Sequence, residues 1–332
     1  HGVFGQIEAD VMHHADVYLL IVTASIPFIA LYNGGAAVFR AMGNSEVSMK
    51  VSLLMNAINV SGNAILIYGF HCGTEGVAIP TLVSRFVAAF IIIKLLLKDK
   101  WSLHLERTFR FNPDWSMIRK ILSVGIPNGL ENSMFQLGKV LVLSLVSTFG
   151  TYAIAANAVS NVITLFSILP GQAICLAVTT VIARCVGAGD YEQAKYYNKK
   201  LILLTHIGMA ITIFIVFITL PFILKVYNLS EAASEATRHI IWFHGFCAIL
   251  IWAESFTLPA TFRACGDAKA CMIISTLSMW IFRVGASYIL GKNLGLGVFG
   301  VWVAMIIDWA FRSLLFGIRY FSGKWKKHAL VS

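Results

Sequence analysis

Phe39-Arg40-Ala41-Met42-Gly43-Asn44 closes the first long apolar run of this chain, and Phe262-Arg263-Ala264-Cys265-Gly266-Asp267 closes the seventh, 223 residues later. Two further landmarks keep that spacing to within one residue. Gly73-Thr74-Glu75-Gly76-Val77 returns as Gly297-Val298-Phe299-Gly300-Val301, and Lys100-Trp101 as Lys324-Trp325, each at an offset of 224. Three matches in one register over about 60 residues mark an internal repeat, and the period is far too long for a solenoid.

The sequence between the landmarks is mostly apolar. Hydrophobic residues fill 58% of the 332 positions and charged residues 13%, with a mean hydropathy of +0.77. A soluble domain keeps about a quarter of its residues charged so that its surface stays wet. Most of this surface must therefore meet lipid. A bilayer core about 30 Å thick takes roughly 20 apolar residues of helix. Nine stretches qualify: 15–39, 47–70, 76–97, 116–149, 152–186, 198–226, 236–263, 268–290 and 296–321. Backbone in lipid must satisfy its own hydrogen bonds, which leaves helix as the conformation of such runs. Pro27, Pro80, Pro127, Pro170, Pro221 and Pro259 fall inside them. Each would cost a soluble helix about 3 kcal/mol, whereas membrane helices tolerate proline as a kink or a bend. The expected fold class is an all-α membrane protein, a polytopic helical bundle.

Charge sets the orientation. One set of alternate connections carries nineteen Lys and Arg residues, from Arg40 and Lys50 to Arg319, Lys324, Lys326 and Lys327. The opposite set holds Lys225, Arg238 and Lys292. By the positive-inside rule the first set is cytoplasmic, so the N-terminus of this chain lies outside and its C-terminus inside, as an odd number of spans requires. The net charge of +10 reflects this asymmetry. It is not gathered into a basic patch, and no nucleic-acid partner is expected. The longest link, 98–115, mixes Arg107 and Arg110 with Trp101, Phe109, Phe111 and Trp115, and reads as an interfacial cytoplasmic segment between two lobes.

Runs one to three thus repeat as runs seven to nine, six spans apart and in one membrane orientation. That is a parallel repeat about an axis along the membrane normal. The expected domains are 1–100, a partial N-terminal lobe of three helices; 101–115, the interlobe segment; and 116–332, a C-terminal lobe of six. Carried back by one period, the first copy would begin about 109 residues before His1, room for three more spans. Nine of twelve helices are then expected here. His1-Gly2-Val3-Phe4 fits this, being neither an initiator Met nor the basic start of a signal peptide.

A helix ending in Phe-Arg-Ala-x-Gly-Asn/Asp twice, one lobe apart, resembles the multidrug and toxic compound extrusion (MATE) family. So do Gly125-Ile126-Pro127 at the opening of the second lobe and Val186-Gly187-Ala188-Gly189-Asp190-Tyr191-Glu192-Gln193-Ala194 between runs five and six. The resemblance extends over essentially the whole chain. It implies a V-shaped, twelve-helix exporter of two six-helix lobes, a cell-membrane monomer. Such a protein expels organic cations and other amphiphiles in exchange for sodium ions or protons, without a cofactor.

The chemistry-bearing residues agree with transport. No Gly-x-x-x-x-Gly-Lys-Ser/Thr loop is present to cradle ATP phosphates, and no Gly-x-Ser-x-Gly or His-Glu-x-x-His appears. Ion gradients are left as the energy source, and an enzyme is not expected. The six cysteines form no Cys-x-x-Cys pair and have no His at ligand spacing, so neither a metal site nor a disulfide framework follows. The informative residues are the charges inside the runs: Arg85, Glu131, Lys139, Glu254, Arg283, Asp308 and Arg312. Each costs about 2.5–3.5 kcal/mol at a helix centre.

Asp308 and Arg312, four apart with the acid first, read as a structural ion pair. Arg85 and Arg283 read as snorkelling or carbonyl-bonded. Glu131, Phe135 and Lys139 share a stripe of run four, with Gln136 beside it. Glu131 lies about 16 Å from Lys120 and Glu254 about 13 Å from Arg263, at 1.5 Å per residue. Two acids at similar depth are expected to line one cavity. The repeat puts Leu31 opposite Glu254, so the second acid is no requirement of the fold. Neither acid has a base three or four positions away, and Glu131 is expected to stand unpaired as the coupling carboxylate, with Glu254 assisting. The resemblance supports this loosely: family members often carry acids on these two helices, at a spacing that differs here by up to a turn.

Asn157, Asn161 and Gln172 either face the same cavity or bond neighbouring helices. The expected substrate or ion site is thus Glu131, Glu254, Lys139, Gln136, Asn157 and Asn161, and His239 and His244 read as interfacial. Three alternatives stand beside the antiporter. A lipid-linked oligosaccharide flippase of the same broad superfamily would favour several cavity bases, where Lys139 is the clear one. A membrane-embedded enzyme would need paired groups at one depth. The third is an inactive fragment.

Overall fold

The computed structural model describes residues 9–106 and 113–328, and among them every regular element is helical. Arg107, Phe109, Arg110 and Phe111 of the interfacial segment lie outside the described residues. The chain divides into two compact units, His1–Asn112 and Pro113–Ser332.

The first unit holds α1 (Ala9–Ala24), α2 (Ile26–Ala41), α3 (Ser45–Ala64) and α4 (Glu75–Leu96). α1 and α2 form one membrane-length rod broken at Ser25. Pro27 sits in the first turn of α2, where a missing N–H costs nothing. The Ser25 hydroxyl donates to the Val22 carbonyl at 2.6 Å and accepts from Arg85 Nη1 of α4 at 2.7 Å. The guanidinium of Arg85 is therefore spent on the helix break. Tyr32, Phe39, Val51, Ala88 and Ile92 form the core of this unit.

The second unit holds α5 (Trp115–Ser147), α6 (Thr151–Gly187), α7 (Tyr191–Tyr227), α8 (Glu231–Trp252), α9 (Leu258–Ala264), α10 (Ala268–Ser278) and α11 (Gly297–Phe321). A π turn, Ala253–Thr257, joins α8 to α9, and α10 runs on through two more, Met279–Gly285 and Tyr288–Asn293. Trp252, Trp302 and Trp309 centre one core cluster, and Phe262, Phe316 and Trp325 a second. Leu250, Phe222 and Phe321 are among many large apolar side chains left exposed, as a lipid-facing surface requires.

Among the described residues the nine expected runs are nine helical rods. Eight are long and apolar enough to cross a membrane. The ninth, α5, has 33 residues, but Asn128, Glu131, Asn132, Gln136 and Lys139 dilute the apolar character of its middle. A membrane-length helix with such a centre must turn it toward protein or water.

The repeat is visible bond by bond. At the end of α2, the Asn44 N–H bonds the Phe39 carbonyl and the Gly43 N–H bonds Arg40, both at 2.9 Å. At the end of α9, Asp267 bonds Phe262 at 2.9 Å and Gly266 bonds Arg263 at 3.0 Å. This 6→1 and 5→2 closure is the Schellman cap, which needs a left-handed residue at the glycine position. Gly43 and Gly266 supply it with φ of 82° and 85°. The same closure ends α6, through Asp190 to Cys185 and Gly189 to Val186. Gly189-Asp190 and the two Gly-Asn/Asp pairs are thus one device for turning the chain at a helix end.

The second landmark repeats too. The π turn at Ile65–Gly69 matches Tyr288–Asn293, with Phe70 N–H on Ile65 and Leu294 N–H on Ile289 at the 224 offset. The offset is 223 at Asp267 and 224 here, so the second copy holds one more residue between them. Met279–Gly285 lies in that interval as a π turn, whereas the matching stretch of α3 is plain α-helix. A π turn takes up one extra residue. The extra residue is housed there.

Candidate functional site

Asp114 starts α5, its Oδ1 accepting from Ser116 N at 2.9 Å and Met117 N at 3.1 Å. Glu131 follows more than four turns later, one turn past Pro127. Its side chain is 6% exposed, and Arg263 Nη2 donates to both its carboxylate oxygens at 2.8 Å. This corrects the expectation of an unpaired acid. The partner lies 132 residues away in sequence, in the last turn of α9, where a search three or four positions along one helix does not reach. The contact uses one nitrogen rather than the two-pronged fork of which Arg is capable, and Nε is buried without an acceptor.

Glu254 lies in the π turn Ala253–Thr257. Its Oε1 is 2.9 Å from Nε2 of His206 on α7, whose Nδ1 lies 2.6 Å from the Ile249 carbonyl. The two carboxylates, expected to share one cavity, thus take different partners: α9 for Glu131 and α7 for Glu254. Rise per residue fixes how deep a side chain starts, not the direction in which it leaves the helix. The widened turn changes that direction again.

Asp308 and Arg312 of α11 are both buried, and Arg312 Nη1 stands 3.9 Å from Asp308 Oδ2. That is longer than a hydrogen bond. Their firmer bonds go elsewhere. Ser278 donates to Asp308 Oδ1 at 2.5 Å, and Arg312 Nη2 donates to the Ser255 carbonyl at 3.2 Å. The guanidinium lies over Phe256 at 4.5 Å and Phe135 at 5.0 Å. Ser255 in turn donates to the Trp309 carbonyl at 2.6 Å. α11 is therefore tied twice to the π turn that carries Glu254.

Lys139, Gln136, Asn161 and Gln172 are exposed on this unit. Asn157 accepts from Trp302 Nε1 at 3.2 Å, and Asn161 donates to the Asn157 carbonyl at 2.8 Å. His239 is exposed, but His244 is a correction. It is buried edge-on against Trp302 and Trp309, with ring centroids 5.5 and 5.2 Å away. His206 escaped the sequence reading. The one signal for it was a lone polar ring in the apolar middle of α7. Among the described residues no group of three His, Cys, Asp or Glu side chains gathers as a metal site.

The MatE family model matches residues 127–289, from the proline of Gly-x-Pro into the last π turn. The match takes in Glu131, His206, Glu254 and Arg263. The MatE match thus takes in just under half of the chain. The fold is similar to that of a multidrug resistance MATE family transporter of the MOP superfamily, itself solved in an outward-facing conformation, with a TM-score of 0.85, 20% identity, and 93% of this chain on 70% of that one. The chain is a multi-pass membrane transporter and not an enzyme. Among curated relatives, this chain is 26% identical over its whole length to 72% of a probable multidrug resistance protein NorM of Thermotoga maritima. It is 27% identical to an uncharacterized transporter YisQ of Bacillus subtilis, with 95% of this chain on 70% of that protein. A MOP superfamily transporter from Pyrococcus furiosus superposes with a TM-score of 0.83 at 21% identity, with 92% of this chain on 69% of that one.

Proposed function

We propose that this chain acts as a MATE-family secondary antiporter that exports organic cations and other amphiphiles in exchange for sodium ions or protons, and that Glu131 is the carboxylate at which the two fluxes compete. The multidrug names of the relatives support the substrate class. The residue assignment is carried by one contact: a single Arg263 nitrogen stands 2.8 Å from both Glu131 oxygens, where a sodium ion or a substrate ammonium would also sit. Glu131 is too buried to be left without a counter-charge. Arg263 has a quarter of its side chain exposed and a long stem, so it can withdraw. Exchange of one cation for another at that point keeps the charge balanced, and alternating access turns it into coupled flux.

Glu254 assists, and Lys139, Gln136, Asn157 and Asn161 contribute to the substrate path. Residues 1–100 and 116–332 are read as parts of two lobes of one monomer, with 101–115 between them. The basic connections support a cytoplasmic C-terminus and an outside N-terminus. Glu131→Gln keeps the shape and removes the charge. Liposomes carrying that variant should lose ethidium export driven by either ion gradient, with the protein still present and folded. Export at the wild-type rate would take the coupling role away from Glu131.

A further inference from the structure

The His206–Glu254 contact obeys a strict proton count. A carbonyl oxygen only accepts, so the 2.6 Å contact with Ile249 requires the hydrogen on His206 Nδ1. At the other end of the ring, Nε2 and Glu254 Oε1 lie 2.9 Å apart. Two bare acceptors repel at that distance, so one hydrogen lies between them. It belongs either to an imidazolium facing a carboxylate or to a carboxylic acid facing a neutral ring. In both cases the pair is neutral as a whole and holds one exchangeable proton.

Position makes the count consequential. His206 is on α7 and Glu254 is in the π turn, and the shared proton joins the two elements. The side chains are 26% and 31% exposed, so a proton can reach them, while Glu254 Oε2 is buried with no donor and leaves Oε1 as the hold. Ionisable side chains on the elements packed against this turn are committed elsewhere. Arg263 of α9 bonds Glu131, Asp308 of α11 takes Ser278, and Arg312 bonds Ser255. Cys175 of α6 donates to the Phe256 carbonyl, and His244 of α8 packs on tryptophan rings. None of these is hydrogen-bonded to the pair among the described residues.

We propose that His206 and Glu254 form a one-proton latch, which binds α7 to the π turn while the proton is present and opens when the proton leaves. This rests on the antiport reading and adds a protonatable site apart from Glu131, where the two fluxes compete. In the opening step the proton passes to water. The pair goes from neutral to a single negative charge, and an Nε2 lone pair faces a carboxylate. The bond from the π turn to α7 is lost and an uncovered carboxylate remains, while the Nδ1–H bond to the Ile249 carbonyl still holds the ring to α8. The sign is fixed: a second proton at low pH leaves Nε2–H donating to the acid, so the latch stays closed in acid and opens as pH rises.

Infrared difference spectra of the purified protein in liposomes across pH steps test the latch without transport. The carboxyl band, assigned by its loss in Glu254→Gln, and the imidazole band, assigned by its loss in His206→Gln, should change together at one midpoint in the wild type. In Glu254→Gln the His206 band should move its midpoint by about one pH unit or more. Separate midpoints in the wild type, or an unmoved His206 in Glu254→Gln, would overturn the latch. Ethidium export driven by a pH gradient should fall about tenfold in each single variant and no further in the double, because both remove the same proton. Losses that multiply would again overturn it. If the wild type exports no ethidium under either gradient, the antiport reading fails, and the spectra still decide the latch.

Discussion

Arg263→Ala and Glu131→Gln break the same contact from opposite sides, and the burial of the two groups predicts unequal costs. Removing Arg263 leaves a carboxylate that is 6% exposed, in a membrane helix, with no other counter-charge within hydrogen-bond reach among the described residues. Breaking a buried pair in this way costs about 3–5 kcal/mol. The contact uses one nitrogen rather than a fork, which puts the expected value near the lower end, about 3 kcal/mol. Removing the charge on Glu131 instead leaves an arginine that is 25% exposed and can turn its head to water. That change should cost about 1 kcal/mol.

The double variant leaves no stranded charge and should lose only about 1–2 kcal/mol, which makes the coupling about 2 kcal/mol. Reversible unfolding in mixed micelles, followed by tryptophan fluorescence, measures all three variants. Equal costs for the two single changes, or costs additive to within about 0.5 kcal/mol, would refute the reasoning.

Gly171→Ala should destabilise by about 1–2 kcal/mol, because the new Cβ would lie 2.3 Å from the buried Trp252 ring. Gly125→Ala, with nothing within 4 Å, should instead be neutral or stabilising by up to about 1 kcal/mol, and the reverse ranking in the same unfolding assay would contradict the packing. Cysteines introduced beside Lys195 and Lys324 should resist an impermeant thiol reagent in intact cells, and labelling at both would invert the orientation. The two sites must also agree, since Lys195 and Lys326 both reach Glu192, at 2.7 and 3.6 Å.

The helices were legible because lipid is a simple solvent: it demands long apolar runs, and these stand out without any knowledge of neighbours. The repeated Phe-Arg-Ala-x-Gly-Asn/Asp stood out as a landmark, since a left-handed turn leaves little choice but glycine. Its Arg263 passed for a link residue because the carboxylate it meets is 132 positions upstream. His206 and Glu254 are 48 positions apart, and that pairing depends on how α7 packs beside a π turn. Neither the packing nor the turn has a sequence signature. The break of the first rod is signalled by Pro27, but its seat at Ser25 is not, because Arg85 from another helix holds that hydroxyl.

The widened turn at Met279–Gly285 bears on how a membrane helix changes length over time. One residue added to a straight helix swings every later side chain round by about 100°. Here the added residue is confined to a bulge, and the rod resumes its aim. Past it, Tyr288–Asn293 forms the same closing bonds as Ile65–Gly69. The bulge behaves like slack in a measuring tape: the count of residues and the geometry of the wall are decoupled there. Insertions and deletions, ordinarily banished to loops, have a tolerated address inside this helix. Arg283 lies on the slack itself, so its compass bearing is set by the bulge and not by the register that the residues beyond it keep.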